Sequence, residues 1–293
     1  MLVSTKELLE TAQRHGYAIG AFNMYNFEGV EAVVRAAEAL QSPAMLQMHP
    51  KVLAYGKQPL VALFLEAARC ASVPIAVHLD HSSDRNDIRM AVEAGMNSVL
   101  ADGSHHPYQE NLAFTREMTQ LAHSYNAAVE AEIGCISGTE DGLTVSEKEA
   151  KMTDPQQAGE FVRETQVDCL AVTIGNVHGK YRSEPRLDFD RLQKIRDAVS
   201  LPLVLHGASG LPEDMIRRSI ELGVCKFNVN TEVRQAYMDV LRSLRQKPEA
   251  DLTDTMEDAI AAMQETIAAK MRLFGSDGKA QFHAQATAKA ATP

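Results

Sequence analysis

The chain has 293 residues, 45% of them hydrophobic, which is enough for one large domain or two ordinary ones. Its 29 basic and 39 acidic residues give a formal net charge of −10 at pH 7. A nucleic-acid binder is expected to show a basic surplus or patch, and a membrane-surface binder a basic cluster beside its anchor; the sequence offers neither.

In chain order, "MLVSTKELLETAQRHG" lacks the unbroken apolar stretch and small-residue cleavage site of a signal peptide. It predicts a helix with a Ser4…Glu7 capping box, Leu8 and Leu9 inside, and Gly16 past the end. Short apolar runs then recur: "AIGAFNM" (18–24), "PAMLQM" (43–48), "PIAVHLD" (74–80), "NSVLAD" (97–102), "AAVEAEI" (127–133), "DCLAVTIG" (168–175), "PLVLHG" (202–207) and "CKFNV" (225–229). Between them lie amphipathic helical patterns such as "GVEAVVRAAEAL" and "PLVALFLEAARCA". Asp154 with Pro155 marks one helix start, and Pro212 opens a helix that ends at Gly223. Eight strand–helix units, one per about 30 residues, predict a (β/α)8 TIM barrel. A doubly wound open sheet is the alternative, since periodicity alone cannot close a barrel. No linker or composition break divides the chain, so one domain is expected over 1–280, with an extra C-terminal helix from "LTDTMEDAIAAMQETIAAKMRLFG". Residues 281–293 are weakly patterned and are expected to be a disordered tail. No segment approaches about 18 consecutive apolar residues, so no membrane span is expected. Cys70, Cys135, Cys169 and Cys225 are far apart and form no C-x-x-C pair, which suits reduced, mostly buried thiols in a cytoplasmic protein.

Several strands end in residues that a core would not choose. The third ends in Asp80 and His81, the fourth in Asp102; the fifth carries Glu130 and Glu132, the turn after the sixth has His178, and the seventh ends in His206. In a barrel these ends gather on the face where active sites of this fold are built. A lone histidine at a strand end is usually a hydrogen-bonded residue near solvent. Three of them, His81, His178 and His206, match a common protein contribution to a catalytic zinc site. Asp80 and Glu132 read either as ion-paired structural groups or as acid/base and supporting groups beside a metal. His78 shares strand parity with Asp80 and reads as a core histidine below the site; His15, His123 and His283 read as surface residues, and His105 and His106 as loop anchors. Two turns, "HGASG" (206–210) and "NVNT" (228–231), follow the seventh and eighth strands, where backbone N–H groups of this fold recurrently hold phosphate.

With these motifs assembled, the chain resembles the class II, metal-dependent ketose-bisphosphate aldolases, nearest to the tagatose- and fructose-bisphosphate branch. The resemblance runs from about Leu2 to Ala280 and is carried by "VHLDH", "DGSH", "VEAEIG", "TIGNVHGKY", "LVLHGASG" and "KFNVNTE". It implies that His81, His178 and His206 hold one Zn2+ per subunit and that Asp80 is the catalytic acid/base. It further implies that Gly179, Gly207, Ala208, Ser209, Asn228, Val229, Asn230 and Thr231 contact dihydroxyacetone phosphate. Asp102 and Glu132 match carboxylates that hold a second ion in some members; a monovalent cation is a further candidate ion. Glu140, in "GTEDG", matches a mobile-loop acid used for proton transfer, and the segment 137–153 is expected to be that loop. The implied reaction is reversible cleavage of a ketose bisphosphate, or of a non-glycolytic ketose 1-phosphate, through an enediolate, by a homodimer or homotetramer. Many members carry a small residue and Pro-Gly after the second strand, where this chain has "QMHPKV"; the third position of "NVNT" is often Asp or Ala, and here is Asn230. Both departures fall where the aldehyde half is read, and Lys51 is a candidate contact for an anionic aldehyde. Three rivals stand beside this reading. A Schiff-base aldolase would use Lys226; a barrel metallohydrolase would want a His-x-His on the first strand, which "AFNMYN" lacks; a non-catalytic metal-binding barrel leaves Asp80 and the phosphate turns without a role.

Overall fold

The apolar runs are bounded by turn residues and rich in β-branched side chains and alanine, and eight of them form strands. The computed structural model describes residues 1–140, 143–145, 151–179, 181, 184–244 and 249–283. The strands β1 (Ile19–Asn23), β2 (Ala44–Met48), β3 (Ile75–Ser82), β4 (Ser98–Ala101), β5 (Ala128–Ile133), β8 (Cys169–Val172), β10 (Leu203–Leu205) and β11 (Val224–Val229) pair in parallel. They close in the order β1-β11-β10-β8-β5-β4-β3-β2. Helices α2 (Phe27–Leu40), α3 (Pro50–Cys70), α4 (Arg85–Glu93), α5 (Tyr108–Ser124), α6 (Pro155–Thr165), α7 (Phe189–Ala198), α8 (Glu213–Glu221) and α9 (Thr231–Ser243) follow the strands, and α10 (Leu252–Leu273) packs on α2 and α9. The expected closed barrel and its extra C-terminal helix are therefore present. No helix among the described residues is long and apolar enough to cross a membrane.

Strand alternation sorts the core into two layers. Outward residues such as Phe22, Leu46, Val77, Val99, Val129, Leu170, Leu205 and Phe227 join the helices in one large cluster. Inward residues Ile19, Ala21, Met45, Ala76, Cys169, Ala171 and Val204 form a second cluster, closed from below by Leu8, Leu9 and Ala12 of α1 (Thr5–His15). The barrel is thus plugged at its base, and its polar inward residues are pushed toward the other end.

Three local expectations change. Ser4 sits at the N-cap of α1, but its side chain makes no capping hydrogen bond, so the capping box does not form. α3 begins at Pro50, earlier than the pattern from Pro59 suggests, and is kinked at Lys57 (φ +50°) ahead of Pro59, whose ring removes a helix donor. Within the expected loop, β6 (Ser137–Glu140) and β7 (Leu143–Val145) form an antiparallel hairpin, and β6 pairs in parallel with β9 (Val177–His178). The rest of that segment, 141–142 and 146–150, lies outside the described residues.

The first residues of the expected tail, 281–283, are packed against the domain, continuing the contacts of the residues before them. Gly278 and Ala280 donate backbone N–H bonds to Leu40 and Gln41 carbonyls, and the Phe282 ring stacks on His15 at 4.0 Å. His283 is buried and meets the Tyr17 hydroxyl at 3.0 Å, so it is not a surface residue. Residues 284–293 of the expected tail lie outside the described residues. Burial, with the charges of Arg14 and His15, pushes the His283 imidazole down to about 4. The unfolded chain therefore takes up the proton first, and stability falls as pH drops through 6.5 toward that lower value. We expect His283→Gln to shrink the drop in Tm between about pH 7 and about pH 4.5 relative to the unsubstituted chain. An unchanged drop would remove His283 from the acid response.

Candidate metal centre

Asp80 and His81 are neighbours on β3, and regular alternation would send one inward and the other toward the helices. The register resolves this. Leu79 pairs with Val99 but Ser82 pairs with Ala101, so β3 carries one extra residue. The bulge falls at His81, whose φ of +37° lies in the left-handed region. Such a backbone costs about 1–3 kcal/mol for a non-glycine residue and persists only where its surroundings hold it. Here it turns both side chains toward the same end of the barrel.

His206 follows β10, and His178 lies on β9 in the segment after β8. The three imidazoles face one another with centroid separations of 4.6, 5.1 and 5.8 Å. One nitrogen from each lies within 4.8 Å of the others. The His81 Nδ1 and Asp102 Oδ2 are 2.7 Å apart, and the His206 Nε2 and Glu130 Oε1 are 2.9 Å apart. These two imidazoles, His81 and His206, are each placed to donate an N–H to a carboxylate, which turns the other ring nitrogen toward the shared space. Those other atoms, His81 Nε2 and His206 Nδ1, are buried without a hydrogen-bond partner. Orphaning a buried polar atom costs about 1–3 kcal/mol, a cost a bound cation would remove. The residues present therefore fit a metal ion held by His81, His178 and His206.

The field around them agrees. Burial opposes protonation of His81, yet Asp80, Asp102 and Glu132 outweigh it and raise its pKa well above the ordinary imidazole value. Burial and the Asp102 charge push Glu132 well above the usual carboxylate range. Its Oε2 has no hydrogen-bond partner, and His81, Asp102 and Glu132 form a second group with ligand atoms within 4.8 Å of one another. Both observations mark a place that attracts positive charge.

Asp80 is fully buried and held at both oxygens: Asn23 Nδ2 donates to Oδ2 at 2.8 Å and Asn228 Nδ2 to Oδ1 at 3.0 Å. Burial disfavours its charge, but His81, Lys226 and His206 and the Asn23 bond outweigh it and keep its carboxyl below the ordinary value. An ionised carboxylate thus stands 4.0 Å from the His81 Nε2.

The turn after β10 is locked to the segment after β8. Asn176 Nδ2 donates to the His206 carbonyl at 3.1 Å, and the Tyr181 hydroxyl donates to the Gly207 carbonyl at 3.1 Å. Gly207 has φ +69°, and a Cβ there would lie 2.2 Å from the Val177 oxygen, so only glycine fits. Gly179 is half-buried with φ +82°, Ala208 is buried and Ser209 is half-buried. At the end of β11, Asn228 is buried and Val229 faces the helix layer; beyond it Asn230 is buried and Thr231 opens α9, whose first N–H groups lack helical partners. Tyr25 donates its hydroxyl to Asn230 Oδ1 at 2.8 Å.

Some expected residues stand apart. Lys51 is exposed in the first turn of α3, and no described contact ties its side chain to the histidines. His49 is buried and caps α3, its Nδ1 accepting from the Lys51 N–H at 3.2 Å. Glu140 has its backbone in β6, and its side chain lies outside the described residues. His78 sits lower in the barrel, 2.7 Å from the Ser98 hydroxyl. Cys135 lies 4.0 Å from His105 Nδ1, away from the three imidazoles.

Sequence reasoning missed the ion pair beneath the site. Lys226 and Glu130 are both fully buried, with Nζ 2.8 Å from Oε2 and 2.6 Å from Asn228 Oδ1. The signal was available: Glu130 shares a face with Glu132, and Lys226 with Asn228, by strand parity.

The family described as fructose-bisphosphate aldolase class-II matches residues 3–279. The D-tagatose-1,6-bisphosphate aldolase subunit GatY of Klebsiella oxytoca is 44% identical over 281 residues, 95% of this chain and 99% of that protein. A crystal structure of the YdjI aldolase from Escherichia coli K12 aligns with TM-score 0.86 and 36% identity over 96% of this chain and all of that one (100%). A Coccidioides immitis protein solved under the name fructose-1,6-bisphosphate aldolase aligns with TM-score 0.89 and 39% identity, over 95% of this chain and 98% of that one.

The Asp102–His81 contact generates a direct expectation. Asp102→Ala frees the imidazole to rotate and lowers its basicity, so affinity for zinc should fall about 10–100-fold. Titration of the metal-free protein against a competing chelator reads this. Unchanged affinity would remove His81 from the metal site or Asp102 from its support.

Proposed function

The chain belongs to the class II fructose-bisphosphate aldolase family, and we propose that it is a zinc-dependent aldolase. It reversibly cleaves a ketose 1,6-bisphosphate to dihydroxyacetone phosphate and an aldehyde phosphate. The observation that carries the zinc assignment is the pair of buried, unpartnered imidazole nitrogens of His81 and His206, aimed with His178 at one space. Tagatose 1,6-bisphosphate is the first candidate substrate, supported by the 44% identity to a subunit named for that sugar. We take residues 1–280 as one catalytic domain, in keeping with the family match over 3–279. The same reading makes the protein a cytoplasmic homodimer or homotetramer.

Zinc, when bound, supplies Lewis-acid polarisation of the substrate ketone and so stabilises enediolate charge. The chain's own residues do the rest. Asp80 removes the proton of the C4 hydroxyl during cleavage and returns it to the aldehyde oxygen during synthesis. Its low pKa and two amide donors keep it ionised and fixed before substrate arrives. The Gly207–Ser209 turn, Gly179 and the Asn228–Thr231 segment, at the start of α9, hold the triose phosphate through backbone N–H groups and orient the carbon chain. Asp102 and Glu132 support the metal and offer a place for a second cation. Glu140 delivers the triose proton, and Lys51 meets the anionic end of the aldehyde. The buried ion pair of Lys226 disfavours the Schiff-base alternative, because its ammonium already has two buried partners.

Chelation should abolish aldol cleavage, and added zinc or another divalent ion should restore it; full turnover in a verified metal-free sample would overturn the reading. Asp80→Ala should lower kcat by about 10²–10⁴-fold while keeping the metal. A variant that instead loses its metal would make Asp80 a ligand. Lys51→Met should lower kcat/KM for an anionic aldehyde partner by about one to two decades, the worth of a charge-assisted hydrogen bond, and leave a neutral partner unaffected. Equal losses for both partners would take Lys51 out of the site.

A further inference from the structure

Below the three imidazoles, the inward polar side chains form one connected chain rather than separate pairs. From the metal side, His206 Nε2 meets Glu130 Oε1 at 2.9 Å, and Glu130 Oε2 meets Lys226 Nζ at 2.8 Å. The same Nζ donates to Asn228 Oδ1 at 2.6 Å, and Asn228 Nδ2 donates to Asp80 Oδ1 at 3.0 Å. The chain continues through Asn23, which donates to Asp80 Oδ2 at 2.8 Å and accepts from Gln47 Nε2 at 3.0 Å. His206, Glu130, Lys226 and Asp80 have no exposed surface at all, and Asn228 is only 4% exposed.

We propose that Lys226 is a positioning residue that sets both working parts of the site: the metal-binding imidazole of His206, through Glu130, and the proton-transferring carboxylate of Asp80, through Asn228. This rests on the aldolase reading given above. The geometry argues against a covalent role for Lys226, because two of the three N–H groups of its ammonium are engaged by oxygen atoms inside the barrel. An amide such as Asn228 can present either end to Asp80. With its oxygen claimed by the ammonium, only its N–H2 is left to face the carboxylate, so the cation decides that Asp80 receives a donor and not a second acceptor. Glu130 behaves likewise: one oxygen is anchored by the ammonium, which leaves the other to accept the His206 N–H and hold that ring with Nδ1 toward the metal. One buried cation therefore orients groups on β3, β5, β10 and β11 that are far apart in sequence. Two carboxylates lie within one or two contacts of Lys226, and it is the only lysine or arginine side chain in the chain of contacts just described.

The test uses the full chain and two independent readouts. Lys226→Met should weaken zinc affinity of the metal-free protein about 10–100-fold, read by chelator competition without any turnover. It should lower kcat with KM for the ketose bisphosphate almost unchanged, since the triose-phosphate turns are left in place. Because Lys226 acts on the metal only through Glu130, Lys226→Met should cost little further zinc affinity in a Glu130→Gln background. Because it acts on proton transfer only through Asp80, it should cost little further kcat in an Asp80→Asn background. Losses that multiply through in both backgrounds would overturn the proposal, as would wild-type zinc affinity and kcat in Lys226→Met. Borohydride trapping of substrate on Lys226 would also overturn it. If Lys226→Met does not fold, Glu130→Gln, of nearly the same volume, reads the metal arm alone, and unchanged zinc affinity there refutes it. A wild-type protein that binds zinc but cleaves no ketose phosphate would refute the aldolase reading and still leave the affinity arm to decide this one.

Discussion

A barrel interior has no water to spare, and the cost of keeping charge there shapes the rest of this molecule. Glu130, Lys226, Asp80 and His206 are completely buried, and an isolated charge in such surroundings is prohibitively expensive unless it is paired and hydrogen-bonded. Removing one partner of a buried ion pair typically costs about 3–5 kcal/mol. Each of these four groups accordingly has a hydrogen-bonding or ion-pair partner, and three of the buried atoms left without a hydrogen bond, His81 Nε2, His206 Nδ1 and Glu132 Oε2, lie around the metal space. The plug of α1 and the apolar inward layer beneath keep water out from the base. What is left at the open end is a set of lone pairs and carboxylate oxygens that a cation would satisfy.

Strain and packing support that arrangement from outside. The bulge at His81 gives two adjacent residues to one site, at the cost of a left-handed backbone. The interlock of Asn176, Tyr181 and Gly207 ties the segment bearing His178 to the turn bearing His206, so two imidazoles from different strands keep a fixed relation. A substitution at Gly207 would drive a side chain into the Val177 carbonyl and part the two segments.

Much of this was legible in the sequence, for reasons that differ from residue to residue. The barrel strands were readable because buried parallel strands are near-continuous apolar runs bounded by turn residues. The three histidines and Asp80 stood out because they interrupt those runs at their ends. The bulge was not readable, since nothing in "VHLDHSSD" distinguishes an inserted residue from a regular one. Pairing Lys226 with Glu130 needed the neighbour order of β5, β8, β10 and β11, which closure of the barrel supplies and periodicity does not. His283 looked like a surface residue because its partner, Tyr17, is 266 positions away. The β6–β7 hairpin was hidden by a charged, glycine-containing stretch whose composition argues for a loop.

The central claim is that one metal ion is shared by His81, His178 and His206. Anomalous diffraction from a zinc-loaded crystal at the zinc edge tests it most directly. The account predicts a single strong peak about 2.0–2.1 Å from His81 Nε2, from His206 Nδ1 and from one ring nitrogen of His178. A zinc peak held by other residues, or no peak in a crystal whose protein is catalytically active, would contradict it.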